Sequence, residues 1–176
     1  VTVSQQNRIG LDRYLDMQGL TFQLKSHKTT PVDADKMYEN LMTTVGSQLW
    51  SSKFDQADFN NPKDLDYLNW SREFQPGYMF RNLGNEDVYY NKQIIRLLQN
   101  YRSAYMQLAV TYYLDYQKES RKKDKDESKL SQLRQKTLET LDKMSQNIPE
   151  TTIPITAEEL HYQVARMYGD LGQKQS

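Results

Sequence analysis

The chain has 176 residues, with 23 Lys+Arg against 23 Asp+Glu, and no cysteine. Zero net charge argues against dedicated nucleic-acid binding, which needs a basic excess to neutralise phosphates. The missing cysteine removes disulfides, thiolate metal sites and cysteine nucleophiles. No run approaches the roughly 18 apolar residues of a membrane span, and no charged stretch leading into an apolar one marks a signal peptide. The first residue is Val1, which suits a domain taken from a longer chain.

Residues 5–17 read as a short helix, with Leu11, Tyr14, Leu15 and Gln18 on one face and Gly19 as its stop. Residues 20–25 alternate with period two, as a half-buried strand does, with Leu20, Phe22 and Leu24 inward. Asp33 is placed to cap a second helix whose apolar face carries Ala34, Met37, Tyr38, Leu41, Met42 and Val45, ending at Gly46. Residues 47–77 are the least periodic part and hold both tryptophans. A loop of that length inside a compact domain is usually functional or carries short elements of its own. Residues 78–83 suggest a second strand, with 20–25 as its natural partner in a two-stranded ribbon.

From Glu86 onward the pattern is strongly helical. Ile94, Leu98, Tyr101, Tyr105, Leu108, Tyr112 and Tyr116 step by three or four residues. Residues 120–127 are a run of mixed charge with no apolar anchor and read as an exposed turn, so Arg121, Lys122, Lys123 and Lys125 do not form a membrane patch. The next stripe is Leu130, Leu133, Thr137, Leu141, Met144 and Ile148, closed by Pro149. A last helix follows, with Thr156 and Glu159 spaced for a capping box, Ala157, Leu160, Val164, Met167, Tyr168 and Leu171 on its apolar face, and Gly172 at its end. The expected fold is mainly α: antiparallel, TPR-like helical hairpins with a small two-stranded β ribbon. Residues 1–84 would hold the N-terminal helices, ribbon and aromatic loop, and residues 85–176 the hairpin and terminal helix, as one compact domain. With 13 tyrosines, much of the core area comes from rings whose hydroxyls each need a partner.

Chemistry-bearing patterns are sparse. His27 and His161 are the only histidines and have no metal-site spacing. Asp55, Asp58, Asn60 and Asp64 lack the glycine and terminal glutamate of a calcium loop and read as turn residues. Asp33 with Asp35, and Glu158 with Glu159, lie at helix N-termini, where the dipole favours acids. No catalytic residue and no cofactor is expected. The one constellation with binding character is aromatic: Phe54, Phe59, Tyr67, Trp70, Phe74 and Tyr78. Flat apolar faces among Asn, Asp and Gln suit a sugar or peptide, although the same rings would also pin a long loop to the helices. Trp50, Tyr67, Trp70, Phe74 and Tyr78 are the candidate binding residues.

Several stretches carry a family resemblance. LDRYLDMQGLTFQL (residues 11–24) resembles the segment after the last membrane helix of bacterial DUF2723 proteins, large multi-pass membrane proteins common in Bacteroidetes and related to protein O-mannosyltransferases. VDADKMYENLM (32–42) resembles their next helix and is the most specific piece. FRNL (80–83) and YYN (89–91) resemble the approach to their long helix. NYR (100–102), LETLDKM (138–144) and Ile148-Pro149 resemble their TPR-like hairpin, and residues 157–174 resemble the first helix of a further repeat. The match covers nearly the whole chain. It departs in residues 120–128, where the family has a short glycine-containing turn, and in the long segment 47–75.

The resemblance implies a parent glycosyltransferase that uses a lipid-linked sugar, with its catalytic acids in a membrane core absent from this chain. This module would then lie on the periplasmic face of the inner membrane. The expected function is a non-catalytic accessory domain that recognises or positions an acceptor protein or glycan. The alternative is a TPR-like protein-interaction scaffold with no link to sugars. Expected partners are an acceptor, the chain's own membrane domain, and a second copy held weakly through Leu160, Val164 and Tyr168 of the last helix.

Overall fold

The computed structural model describes residues 10–43, 77, 78, 80 and 83–172. Among these the order is a 3-10 turn (Leu11–Tyr14), β1 (Leu15–Met17), β2 (Phe22–Leu24), α1 (Ala34–Met42), α2 (Lys92–Ser120), α3 (Glu127–Asn147) and α4 (Glu158–Asp170). The fold is mainly α with one two-stranded antiparallel ribbon. No helix among the described residues is long and apolar enough to cross a membrane.

Of the helix expected over residues 5–17, residues 5–9 lie outside the described part, and the described remainder forms a 3-10 turn and a strand. Leu11 is 44 % exposed while Leu15, Asp16 and Met17 are all buried, so burial does not follow one helical face. Extended backbone serves this segment better. The Met17 N–H donates to the Pro31 carbonyl, the Lys25 N–H to Tyr14, and the Asp33 N–H to Met17, which fixes three neighbouring stretches at once. The ribbon pairs Leu15 with Leu24, Asp16 with Gln23 and Met17 with Phe22. Among the described residues the strand partner of β2 is therefore β1; of the expected partner 78–83, residues 79, 81 and 82 lie outside the described part. Gly19, at φ 126°, lets the chain reverse within a few residues, and a short local loop costs less closure entropy than a distant pairing. Tyr78 supports that turn from outside, its hydroxyl accepting the Leu20 N–H at 2.9 Å. Leu20 and Phe22 lean on the core as expected, but Leu24 is 54 % exposed.

The expected capping of α1 is present. The Asp33 carboxylate accepts the Lys36 N–H at 3.1 Å, and Met37 and Leu41 are fully buried. The helix ends at Met42; Val45 and Gly46 lie outside the described residues. Helix α2 starts at Lys92 and not near Glu86, because residues 85–88 form a turn on Asn85 and Asn91 caps the helix through the Ile94 N–H at 2.9 Å. The mixed-charge run is the expected turn. Glu119, only 4 % exposed, gathers Lys122 Nζ at 2.8 Å, Lys129 Nζ at 3.4 Å and the Asp126 N–H at 3.4 Å across it. The Thr156 capping box is not formed: Ala157 is the N-cap of α4 and no side chain caps it. Glu158 and Glu159 in the first turn answer the dipole instead. Gly172, at φ 78°, follows the helix end as expected.

The core is the α2–α3 hairpin with α1 laid on it. Tyr105, Leu108 and Ala109 of α2 meet Leu138, Leu141 and Met144 of α3, with Met37 and Leu41 alongside. Each fully buried aliphatic side chain contributes about 1.5–3 kcal/mol. Tyrosine hydroxyls tie the elements together. Tyr105 donates to the Leu41 carbonyl at 2.7 Å and Tyr112 to the Ala34 carbonyl at 3.4 Å, so α1 runs antiparallel to α2. Tyr168 of α4 donates to Asp142 of α3 at 2.6 Å. Burial pushes the Tyr105 and Tyr112 hydroxyls up to about 12.

Arg102 positions α4. It lies on the core side of α2 and is 1 % exposed. Its guanidinium donates to the carbonyls of Ile148 at 2.9 Å and Ile153 at 2.7 Å and to Gln99 Oε1 at 2.9 Å. One buried cation thus ends α3 and shapes the connection into α4, where the carbonyl ends of a helix favour positive charge.

Candidate functional site

Helix α2 buries both Tyr112 and Tyr113. Neighbouring helical residues point about 100° apart, so α2 must be covered on two sides. The Tyr112 side meets α1. The Tyr113 side meets α4, and an open groove of about 340 Å³ lies there, lined by Val110, Tyr113, Leu114, Gln117, Gln163, Arg166 and Met167.

Its apolar lining is Val110, Leu114 and Met167, with Leu114 still 46 % exposed. Its polar groups hold one another. The Tyr113 hydroxyl donates to the Asp170 carboxylate in a short hydrogen bond and accepts from Gln117 Nε2 at 2.7 Å. Arg166 Nε stands 3.7 Å from Asp170 Oδ2. Burial, then the bond and charge of Asp170, raise the Tyr113 pKa above its ordinary value. A tyrosine held protonated beside a committed carboxylate is a fixed dipole and a poor proton shuttle. The arrangement suits holding a ligand: an apolar floor, a rim of amides and a guanidinium, and little freedom to lose.

Of the candidate binding residues, Trp50, Tyr67, Trp70 and Phe74 lie outside the described residues, as do Phe54, Phe59 and the acids at 55, 58 and 64. Tyr78 is half-buried. Its ring meets Tyr101 edge-on at 5.4 Å, and its hydroxyl is occupied by the Leu20 N–H. His161 is 3.8 Å from Glu150, with both half-exposed. No group of His, Cys, Asp or Glu among the described residues could hold a metal. The residues named for self-association are largely spent within the chain: Val164 is 7 % and Tyr168 8 % exposed, whereas Tyr162 on the opposite side of α4 is 65 % exposed.

The groove residues were not singled out by sequence reasoning. One signal was present. Tyr113 and Leu114 extend the apolar arc of α2 past the single stripe through Tyr112, and a widened arc means a second neighbour. No family model, curated protein or solved structure matches the chain.

Proposed function

We propose that this chain is a non-catalytic recognition domain that holds a segment of a partner polypeptide in the α2–α4 groove. The observation that supports this is the groove itself, whose apolar floor is open while its polar rim is already organised by Tyr113, Asp170 and Gln117. A segment with an apolar side chain beside a carboxylate or amide would place the first against Leu114 and Met167. The second would meet Arg166, whose side chain is 60 % exposed. Under the family resemblance the partner is an acceptor protein, and the domain is the extracytoplasmic, periplasmic accessory part of a glycosyltransferase-like membrane protein. Without that link it is a helical protein-interaction scaffold.

The test is a titration of the isotope-labelled chain with unstructured peptides rich in Ser, Thr and apolar residues. Amide signals of Gln117 and Gln163 should shift saturably, and Leu114→Glu should weaken binding by about 1–2 kcal/mol. Shifts absent from the groove, or indifferent to Leu114→Glu, refute the reading. Equal binding of hydroxyl-free peptides favours the scaffold over the acceptor reading.

A further inference from the structure

A second hollow lies at the other end of the hairpin, where Phe80 and residues 83–85 meet the last turn of α3. It has a volume of about 390 Å³ and is lined by Phe80, Leu83, Gly84, Asn85, Gln146 and Asn147. Small-molecule sites span about 300–1,000 Å³. Among the described residues six line it, three of them carboxamides and none charged, in a chain of which 26 % is charged.

The amides are held yet not exhausted. Asn147 donates through Nδ2 to the Tyr105 hydroxyl at 2.8 Å, and that hydroxyl donates to Leu41, so the side chain is anchored in the core while its carbonyl oxygen stays free among the described residues. Asn85 accepts the Asp87 N–H through Oδ1 at 3.0 Å, which leaves its two amide hydrogens free among the described residues. Gln146 is exposed and uses neither end of its amide within the described residues. Thr152 fixes the wall by donating to the Leu83 carbonyl. Phe80 packs edge-on to Tyr101 at 5.4 Å, which orients its ring.

Each amide offers a donor and an acceptor side by side. The ligand that matches is neutral, carries adjacent groups that both donate and accept, and has an apolar C–H face for the phenyl ring. A phosphate or carboxylate would meet no cation among the described lining residues. We propose that the hollow binds a neutral pyranose unit of a carbohydrate. The inference goes beyond the groove reading and rests on different residues.

The experiment titrates the full chain with glucose, mannose, galactose and N-acetylglucosamine, with glucose 6-phosphate as the charged comparison, and follows the side-chain amide signals. At least one neutral sugar should shift Asn85, Gln146 and Asn147 saturably, with a Kd of roughly millimolar size for one open site, while Gln117 and Gln163 of the groove stay still. Gln146→Leu removes an exposed amide that holds nothing in place among the described residues, so it should leave the thermal midpoint unchanged and weaken sugar binding about fivefold, the share of one hydrogen bond. The proposal is overturned if no sugar produces a saturable shift, if the phosphorylated sugar binds equally well, if Gln146→Leu binds like the parent chain, or if peptides alone move these signals. Failure here leaves the groove titration standing, and failure there leaves this one.

Discussion

Replacing Arg102 with methionine tests whether one buried cation holds the α3–α4 connection. Methionine keeps the apolar stem of the side chain and removes the guanidinium. The carbonyls of Ile148 and Ile153 would lose their donor, and both residues are at most 1 % exposed. A buried carbonyl left without a partner costs about 1–3 kcal/mol. Pro154 is spared, because Gln99 Nε2 also reaches its carbonyl at 3.1 Å. Two orphaned carbonyls give about 2–6 kcal/mol. Burial lowers the Arg102 pKa, the mark of a desolvation cost that methionine would no longer bear. The expected net loss is therefore in the lower half, about 2–4 kcal/mol, a large part of the roughly 5–15 kcal/mol that holds a domain together. Urea unfolding should show a lower midpoint at unchanged slope, and hydrogen exchange should quicken first over residues 148–157. Arg102→Lys retains the charge and one or two of the bonds and should fall between the two. A loss for Arg102→Met below about 1 kcal/mol refutes the reasoning, because it would mean that the two carbonyls find other partners at no cost.

Three further outcomes are expected. Gly19→Ala puts a side chain at φ 126° and drives its Cβ into the Tyr78 hydroxyl; a loss of about 1–3 kcal/mol in urea unfolding is expected, and a neutral result would show that the ribbon turn relaxes freely. The Lys122 ammonium, first among several partners, holds the Glu119 carboxyl below its ordinary value. A depressed folded pKa adds stability above the unfolded value of about 4.3, and that stability is lost as pH falls through the lower folded value. The stability gap between the parent chain and Glu119→Gln should accordingly close on acidification, and a gap independent of pH would remove the assigned role. Tyr105 and Tyr112 are pushed up to about 12, so their contribution is intact below the unfolded value of about 10 and lost as pH rises from there towards 12, by about 1.4 kcal/mol per pH unit for each. Tyr105→Phe should flatten that alkaline decline; an ultraviolet titration in which every tyrosine ionises near pH 10 without unfolding would contradict it.

Periodicity in the sequence determined the elements whose partners lie close along the chain. Asp33 caps α1, the mixed-charge run turns α2 into α3, and the stripes from Tyr101 to Tyr116 and from Leu130 to Ile148 face the core. These are nearest-neighbour matters, settled by spacing, capping and the absence of an apolar anchor. Where the sequence reading failed, the deciding contact was tertiary. Leu15 fits a helical face with Leu11 and Gln18 as well as a strand, and the Pro31 carbonyl that receives the Met17 N–H decides between them. Ala157 starts α4 although Thr156 and Glu159 have capping-box spacing, since the connection before it is shaped from α2 by Arg102. Arg102 was itself legible as an anomaly, a charge on the same arc as Leu98 and Tyr105, but nothing local says which carbonyls will satisfy it. Both hollows belong to this second class. Leu114 and Arg166, like Phe80 and Gln146, are more than 50 residues apart in sequence, and only the docking of α4 on α2, and of the segment before α2 on α3, brings them together. Side-chain spacing specifies which face of an element is buried; which distant element covers it, and what is left open between them, is decided by packing.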